Sequence, residues 1–130
     1  MKDWIIIIVF IAIMIVGSVL EHNYIVETFE TLGEKTQIFA QIIKENEEQL
    51  NTESVINAFD DLETYWRSHE KRLCLFLNHQ IMEEPNKELS KMKIDIEYNN
   101  IHELKKSIAL ILNFVAGYRD YAVISLESVL

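Results

Sequence analysis

Trp4–Leu20 reads WIIIIVFIAIMIVGSVL, seventeen residues without a charge. That length stands at the short end of what a helix needs to cross the hydrocarbon core of a bilayer. Twelve of the seventeen are Ile, Val, Phe or Leu. At roughly 0.3–0.6 kcal/mol each near the bilayer centre, they favour insertion by about 4–7 kcal/mol before end effects. Trp4 stands where an interfacial aromatic belongs, Ile5, Ile8, Phe10 and Ile13 supply apolar bulk, and Leu20 closes the run. Tyr24, Ile25 and Val26 lengthen the stretch if the helix tilts. The competing reading is a cleaved secretory signal. It fits less well, because the run exceeds a usual signal core and neither Gly17-Ser18-Val19-Leu20 nor Glu21-His22-Asn23 offers an A-x-A-like site. Residues 1–26 therefore read as an uncleaved transmembrane anchor and residues 27–130 as a helical domain beside the membrane.

Sidedness follows from few charges. Lys2 precedes the run, while Glu21, Glu27, Glu30 and Glu34 follow it before the first base, Lys35. The positive-inside rule then places the N-terminus in the cytoplasm and the domain outside the cell membrane. In that orientation only three residues lie inside, so any signalling inward needs a partner.

Composition limits the rest of the chain. Three glycines and one proline in 130 residues are too few for a turn-rich β fold and point to long helices. Cys74 is the single cysteine, which excludes an internal disulfide and argues strongly against a cysteine-based metal site. The net charge is −9, and residues 21–70, with 12 acids and 3 bases, account for all of it. An acidic first half disfavours nucleic acid and anionic head groups as partners and reads most simply as a solvated helix face.

Helical periodicity organises the domain. Ile25, Phe29, Leu32, Thr36, Phe39, Ile43 and Leu50 form one apolar stripe that continues the membrane helix, with Gly33 as a local weakness of about 1 kcal/mol relative to Ala. Asn51-Thr52 supplies a turn and a new N-cap, with Glu53 in the first turn. Val55, Phe59, Leu62, Trp66, His69, Leu73 and Phe76 then alternate steps of four and three. A second phase follows in Leu75, Met82, Leu89 and Ile96. The change of face near residues 73–82 marks a bend or a break there, reinforced by Pro85, which disfavours helix at Glu84 and suits the first position of a helix. Both one kinked helix and two helices over residues 53–98 fit it. Asn99-Asn100 ends the segment, and Asn100 with Glu103 forms a capping-box pattern. Ile101, Leu104, Ile108, Ile111, Val115 and Tyr118 carry the last stripe, widened by Leu112, Phe114, Tyr121, Val123 and Leu126. The expected fold is all-α, an N-terminal transmembrane helix continuing into a three- or four-helix antiparallel bundle. The hydrophobic end, Val129-Leu130, is expected to pack.

The stretch Trp66-Arg67-Ser68-His69-Glu70-Lys71-Arg72-Leu73-Cys74-Leu75-Phe76-Leu77-Asn78-His79 resembles an uncharacterised bacterial family, DUF4363. The plan is similar along nearly the whole chain: an apolar anchor, an acidic helix, then a Trp followed by an apolar run ending in His. The closing Tyr121–Leu130 is similar to that family's terminal Ser-Leu-x-Asn-Ile-Leu, with Ser128 where Asn is usual and Val129 where Ile is usual. The resemblance implies a small membrane-anchored helical protein of Gram-positive-type bacteria and implies no activity.

The polar constellations are sparse. His79 and Glu83 are four apart on one helix face, and His69 lies ten residues earlier. These are the weak candidates for a metal site. Neither HExxH nor a paired ExxH motif is present, so core or surface roles are the simpler reading, and no metal or cofactor is assigned. Trp66 and His69 with Tyr65 and Tyr118 are candidates to line a ligand pocket, although stripe aromatics usually serve as core. A buried indole still needs an acceptor, here His69 or a backbone carbonyl. Asp60, Asp61, Glu63 and Glu70 fall off the stripe and lack the burial that a catalytic carboxylate needs. No nucleophile elbow or phosphate loop occurs, so the chain is not read as an enzyme. Lys87, Lys91, Lys93, Lys105, Lys106 and Arg119 are placed to face the acidic half or a second copy. Cys74 reads as a small buried hydrophobe or, outside the cell, a link between copies.

The leading expectation is an interaction or scaffold protein, anchored in the lipid bilayer by residues 4–20, that docks a protein partner or self-associates at the extracytoplasmic face. The alternative is an extracytoplasmic ligand- or metal-sensing module acting through a partner. The first requires an exposed apolar face, the second an enclosed polar-lined cavity.

Overall fold

A computed structural model describes the backbone of residues 2–129 and the side chains of residues 2–118. The chain is all-α, with four helices in order: α1 (Lys2–Glu45), α2 (Glu53–Leu73), α3 (His79–Glu97) and α4 (Ile101–Val129). No strand occurs among the described residues. At 1.5 Å rise per residue, the 44 residues of α1 span about 66 Å. Its first half, through Leu20, is exposed throughout, and its burial begins at Ile25.

The bundle runs down, up and down against α1. Lys35 pairs with Asp61 and the Phe39 ring meets Phe59, so α2 descends antiparallel to α1. Phe29 meets Phe114 and Tyr118, while Glu47 pairs with Lys105, so α4 also descends antiparallel to α1. α1 packs on both α2 and α4, α3 packs on α4, and the seam between α2 and α3 is the sparsest. The α1 stripe is buried at every position from Ile25 to Ile43, with Leu50 beyond it. Thr36 is compatible with this stripe because its hydroxyl donates to the Leu32 carbonyl at 2.7 Å.

Local chemistry sets the helix ends. Thr52 caps α2, its hydroxyl accepting from the Val55 N–H. Asn99 adopts φ 56° after α3. The Asn100 N–H bonds the Asp95 carbonyl at 2.8 Å and the Asn99 N–H the Ile96 carbonyl at 3.3 Å, a Schellman closure. The Asn99 side chain also accepts from the Leu50 N–H at 2.8 Å, tying together the two loops at the far end of the bundle.

Of the two readings open for residues 53–98, two helices is the one that forms, with the break within residues 73–82; α3 begins at His79, capped by the Asn78 side chain. Several expectations require correction. Pro85 is therefore inside α3 and not at its first position. Its missing N–H forfeits one helical bond, but the helix gains the burial of Met82, Pro85 and Leu89 on one face. Leu75 and Phe76 fall in the α2–α3 loop and are exposed, so neither extends a stripe. The capping box does not form. No hydrogen bond joins Asn100 and Glu103 side chains to the α4 terminus, and Glu103 lies 3.8 Å from Lys91 instead. Gly33 does not interrupt α1. A Cβ there would lie 3.2 Å from Cγ1 of Val115, so the glycine sets the approach of α4. Gly33→Leu is expected to pry the pair apart and cost about 1–3 kcal/mol. A thermal midpoint equal to that of the wild type would show that this approach is not needed. The expected widening of α4 by Tyr121, Val123 and Leu126, the packing of Val129-Leu130 and the role of Arg119 concern side chains outside the described residues.

Candidate functional site

The largest feature without an internal partner is the shaft Trp4–Leu20. Trp4 is 74% exposed, Ile8 55%, Phe10 63%, Ile13 64% and Leu20 64%. An 18-residue apolar window of α1 holds no buried residue and is long and apolar enough to cross a membrane. Water strongly disfavours such a surface.

Where the shaft enters the bundle, an aromatic and cationic collar surrounds Tyr24. Its hydroxyl is 2.9 Å from Nδ1 of His69. The Arg72 guanidinium lies 4.2 Å from its ring centroid and the Phe76 ring 6.3 Å. Tyr65 stacks beside His69 at 4.5 Å. His69 is thus a half-buried, hydrogen-bonded bundle residue. His79 and Glu83 are exposed on α3, where Nδ1 of His79 lies 3.8 Å from the half-buried Cys74 sulfur. These candidates are not gathered into a metal-binding cluster among the described residues.

One step higher, Trp66 is fully buried and meets Phe29. Its indole N–H donates to Oδ1 of Asn86 at 2.6 Å, not to His69 or a backbone carbonyl. Asn86 in turn donates to Glu70 at 2.6 Å and accepts from Arg67 at 3.0 Å. The side chains of Trp66, His69, Tyr65 and Tyr118 are therefore engaged in packing and hydrogen bonds. Glu70 belongs to this network, whereas Asp60 and Asp61 are exposed and Asp61 pairs with Lys35. Lys105 does reach the acidic half, at Glu47, but Lys91 pairs within its own half, with Glu103. Such exposed pairs contribute about 0–1 kcal/mol each.

The sequence patterns did not reveal the buried polar face between α3 and α4. Glu88 and Asp95 are each only 7% exposed and Ser107 is fully buried. One oxygen of each makes no hydrogen bond to the protein. Their spacing was the available signal, since Glu88 and Asp95 each fall one residue before a stripe position, Leu89 and Ile96. Burial lifts the Asp95 carboxyl above its ordinary value, Lys91 partly offsets this, and Glu103 and Glu88 push it further up. The folded state therefore holds the Asp95 proton more tightly than the unfolded chain. This contribution to stability is greatest below the unfolded value and is lost as pH rises toward the folded one. Asp95→Asn keeps the position neutral and is expected to raise the thermal midpoint at neutral pH. The gain should shrink toward about pH 4, where the unfolded carboxyl itself protonates. Melts of both chains across that range check the prediction, and a pH-independent difference would contradict it.

Several grooves among the described residues are open. One of about 410 Å³ is lined by Ile81, Asn113, Phe114, Gly117 and Tyr118, between α3 and α4. Others, near Lys44–Thr52 and near Glu30–Gln37, are rimmed with charge. No family model, curated protein or solved structure matches the chain, so the resemblance to DUF4363 rests on the residues quoted for it.

Proposed function

We propose that the chain is a membrane-anchored helical interaction protein. Residues 4–20 cross the cell membrane, and the bundle of residues 27–130 stands on the extracytoplasmic face and docks a protein partner there. The observation that carries this reading is the uncovered apolar shaft in the same unbroken helix as the buried stripe Ile25–Ile43. Because α1 has no hinge between the two, the bundle is held at a fixed height and orientation over the bilayer. Lys2 before the shaft and Glu21, Glu27, Glu30 and Glu34 after it support the sidedness. The open apolar groove beside Phe114 favours docking over the alternative of ligand or metal sensing, which needs an enclosed polar site.

A photoreactive amino acid at the exposed Asn113 tests the docking reading in intact cells. One discrete adduct is expected, either a second copy or another protein, and it should be lost on Gly117→Arg. Absence of any discrete adduct from a correctly inserted chain would count against the reading.

A further inference from the structure

We propose that the loop joining α2 to α3, residues 74–78, is a second membrane contact that seats Leu75 and Phe76 in the interfacial layer of the bilayer crossed by α1. The inference rests on the reading of residues 4–20 as a span and adds a surface to it. Its first support is position. Tyr24 follows the end of the apolar run by four residues, about 6 Å of helix rise. The Phe76 ring lies 6.3 Å from the Tyr24 ring, and Arg72 lies 4.2 Å from it. The loop is thus fixed beside the point where α1 leaves the apolar run.

Chemistry gives the second support. Leu75 is 78% exposed and Phe76 38% exposed. Lys71 and Arg72, both exposed, precede them at the end of α2. Apolar side chains beside long cationic ones and a tyrosine suit the water–lipid boundary, where the stems lie in the apolar layer and the charged ends reach the head groups. The opposite end of the bundle is built differently. Its α1–α2 loop contains Asn46-Glu47-Glu48-Gln49, and Leu50, the one large apolar residue of that loop, is fully buried, while the α3–α4 turn exposes a single aromatic, Tyr98, between Glu97 and Asn99.

Length gives the third. Seventeen residues of helix reach about 26 Å, short of the roughly 30 Å hydrocarbon thickness. A short span is accommodated by local thinning of the bilayer and by flanking residues at the boundary. Both bring the base of the bundle down onto the lipid. The acidic first half makes a zwitterionic surface the suitable probe.

The test uses the unmodified full chain in phosphatidylcholine vesicles containing a minor fraction of phosphatidylcholine with a photoactivatable diazirine near the glycerol. After irradiation and proteolysis, adducts are mapped by mass spectrometry. Adducts are expected in residues 4–20 and on Leu75–Leu77, with yields at the loop several-fold above those in residues 46–52. Adducts in residues 4–20 with none at the loop would overturn this inference and leave the span intact. Equal labelling of the two ends of the bundle would also overturn it. Absence of adducts from residues 4–20 would overturn the span and the loop contact together.

Discussion

A chain carrying Ile11→Lys and Ile13→Lys is expected to leave the membrane fraction. Both positions are near the middle of the apolar run and are more than half exposed along the shaft, so neither ammonium finds a partner within the chain. Each lysine at the centre of a membrane helix costs about 2.5–3.5 kcal/mol and forfeits the roughly 0.3–0.6 kcal/mol of the isoleucine it replaces. Together the two changes oppose insertion by about 6–8 kcal/mol, comparable with the whole gain of about 4–7 kcal/mol from the run. Snorkelling recovers little at the centre of the span, where both ends are equally far. Alkaline extraction of membranes checks this: the wild-type chain stays in the pellet and the double variant moves to the supernatant. The bundle contacts begin at Ile25, so helicity in the soluble variant should be retained through α2, α3 and α4. Retention of the double variant in the pellet would show that something other than residues 4–20 holds the chain.

Trp66→Ala has the largest expected effect on the bundle. Trp66 is among the largest fully buried side chains, packed against Phe29, and it bridges to α3 through Asn86. Truncating a buried tryptophan costs about 3–5 kcal/mol, a large part of the roughly 5–15 kcal/mol that holds a small domain together. The seam between α2 and α3 is the sparsest in the bundle, so it has few other contacts to share the loss. Trp66→Phe separates two causes. It keeps most of the apolar volume but removes the indole N–H, while Asn86 still accepts from Arg67 and donates to Glu70. One lost hydrogen bond costs on the order of 1 kcal/mol. Denaturant unfolding of the full chain in detergent should therefore rank the wild type first, Trp66→Phe second and Trp66→Ala a clear last. If the two variants were equally destabilised, the hydrogen bond and not the packing would be the dominant contribution.

What the sequence made legible follows from the physics of each signal. Repeats of three and four report which face of a helix is buried, so the stripes Ile25–Ile43, Val55–Trp66 and Leu104–Val115 appear as expected. Capping by Thr52 was legible because its acceptor and donor are neighbours in the chain. The break between α2 and α3 was legible in the change of face near residues 73–82, but the place of Pro85 was not, because Asn78 and the buried face of Met82, Pro85 and Leu89 set the start of α3. Leu75 falls in register with Met82 by spacing alone, since an apolar loop residue carries no mark that separates it from a stripe. The acceptor of Trp66 was out of reach for a different reason. Asn86 is twenty residues away on another helix, and no periodicity links the two. Glu103 leaves its capping role because Lys91, on a neighbouring helix, offers an opposite charge.

The proposed span of α1, which sets its two ends on opposite faces of the membrane, is tested most directly by cysteine accessibility. Asp3→Cys and Tyr98→Cys are placed singly in a Cys74→Ala background; both positions are exposed, one before the shaft and one at the far end of the bundle. With a membrane-impermeant reagent on intact cells, Tyr98→Cys is expected to label at once and Asp3→Cys only after lysis. The reverse pattern would contradict the sidedness, and identical behaviour at the two positions would contradict the span itself.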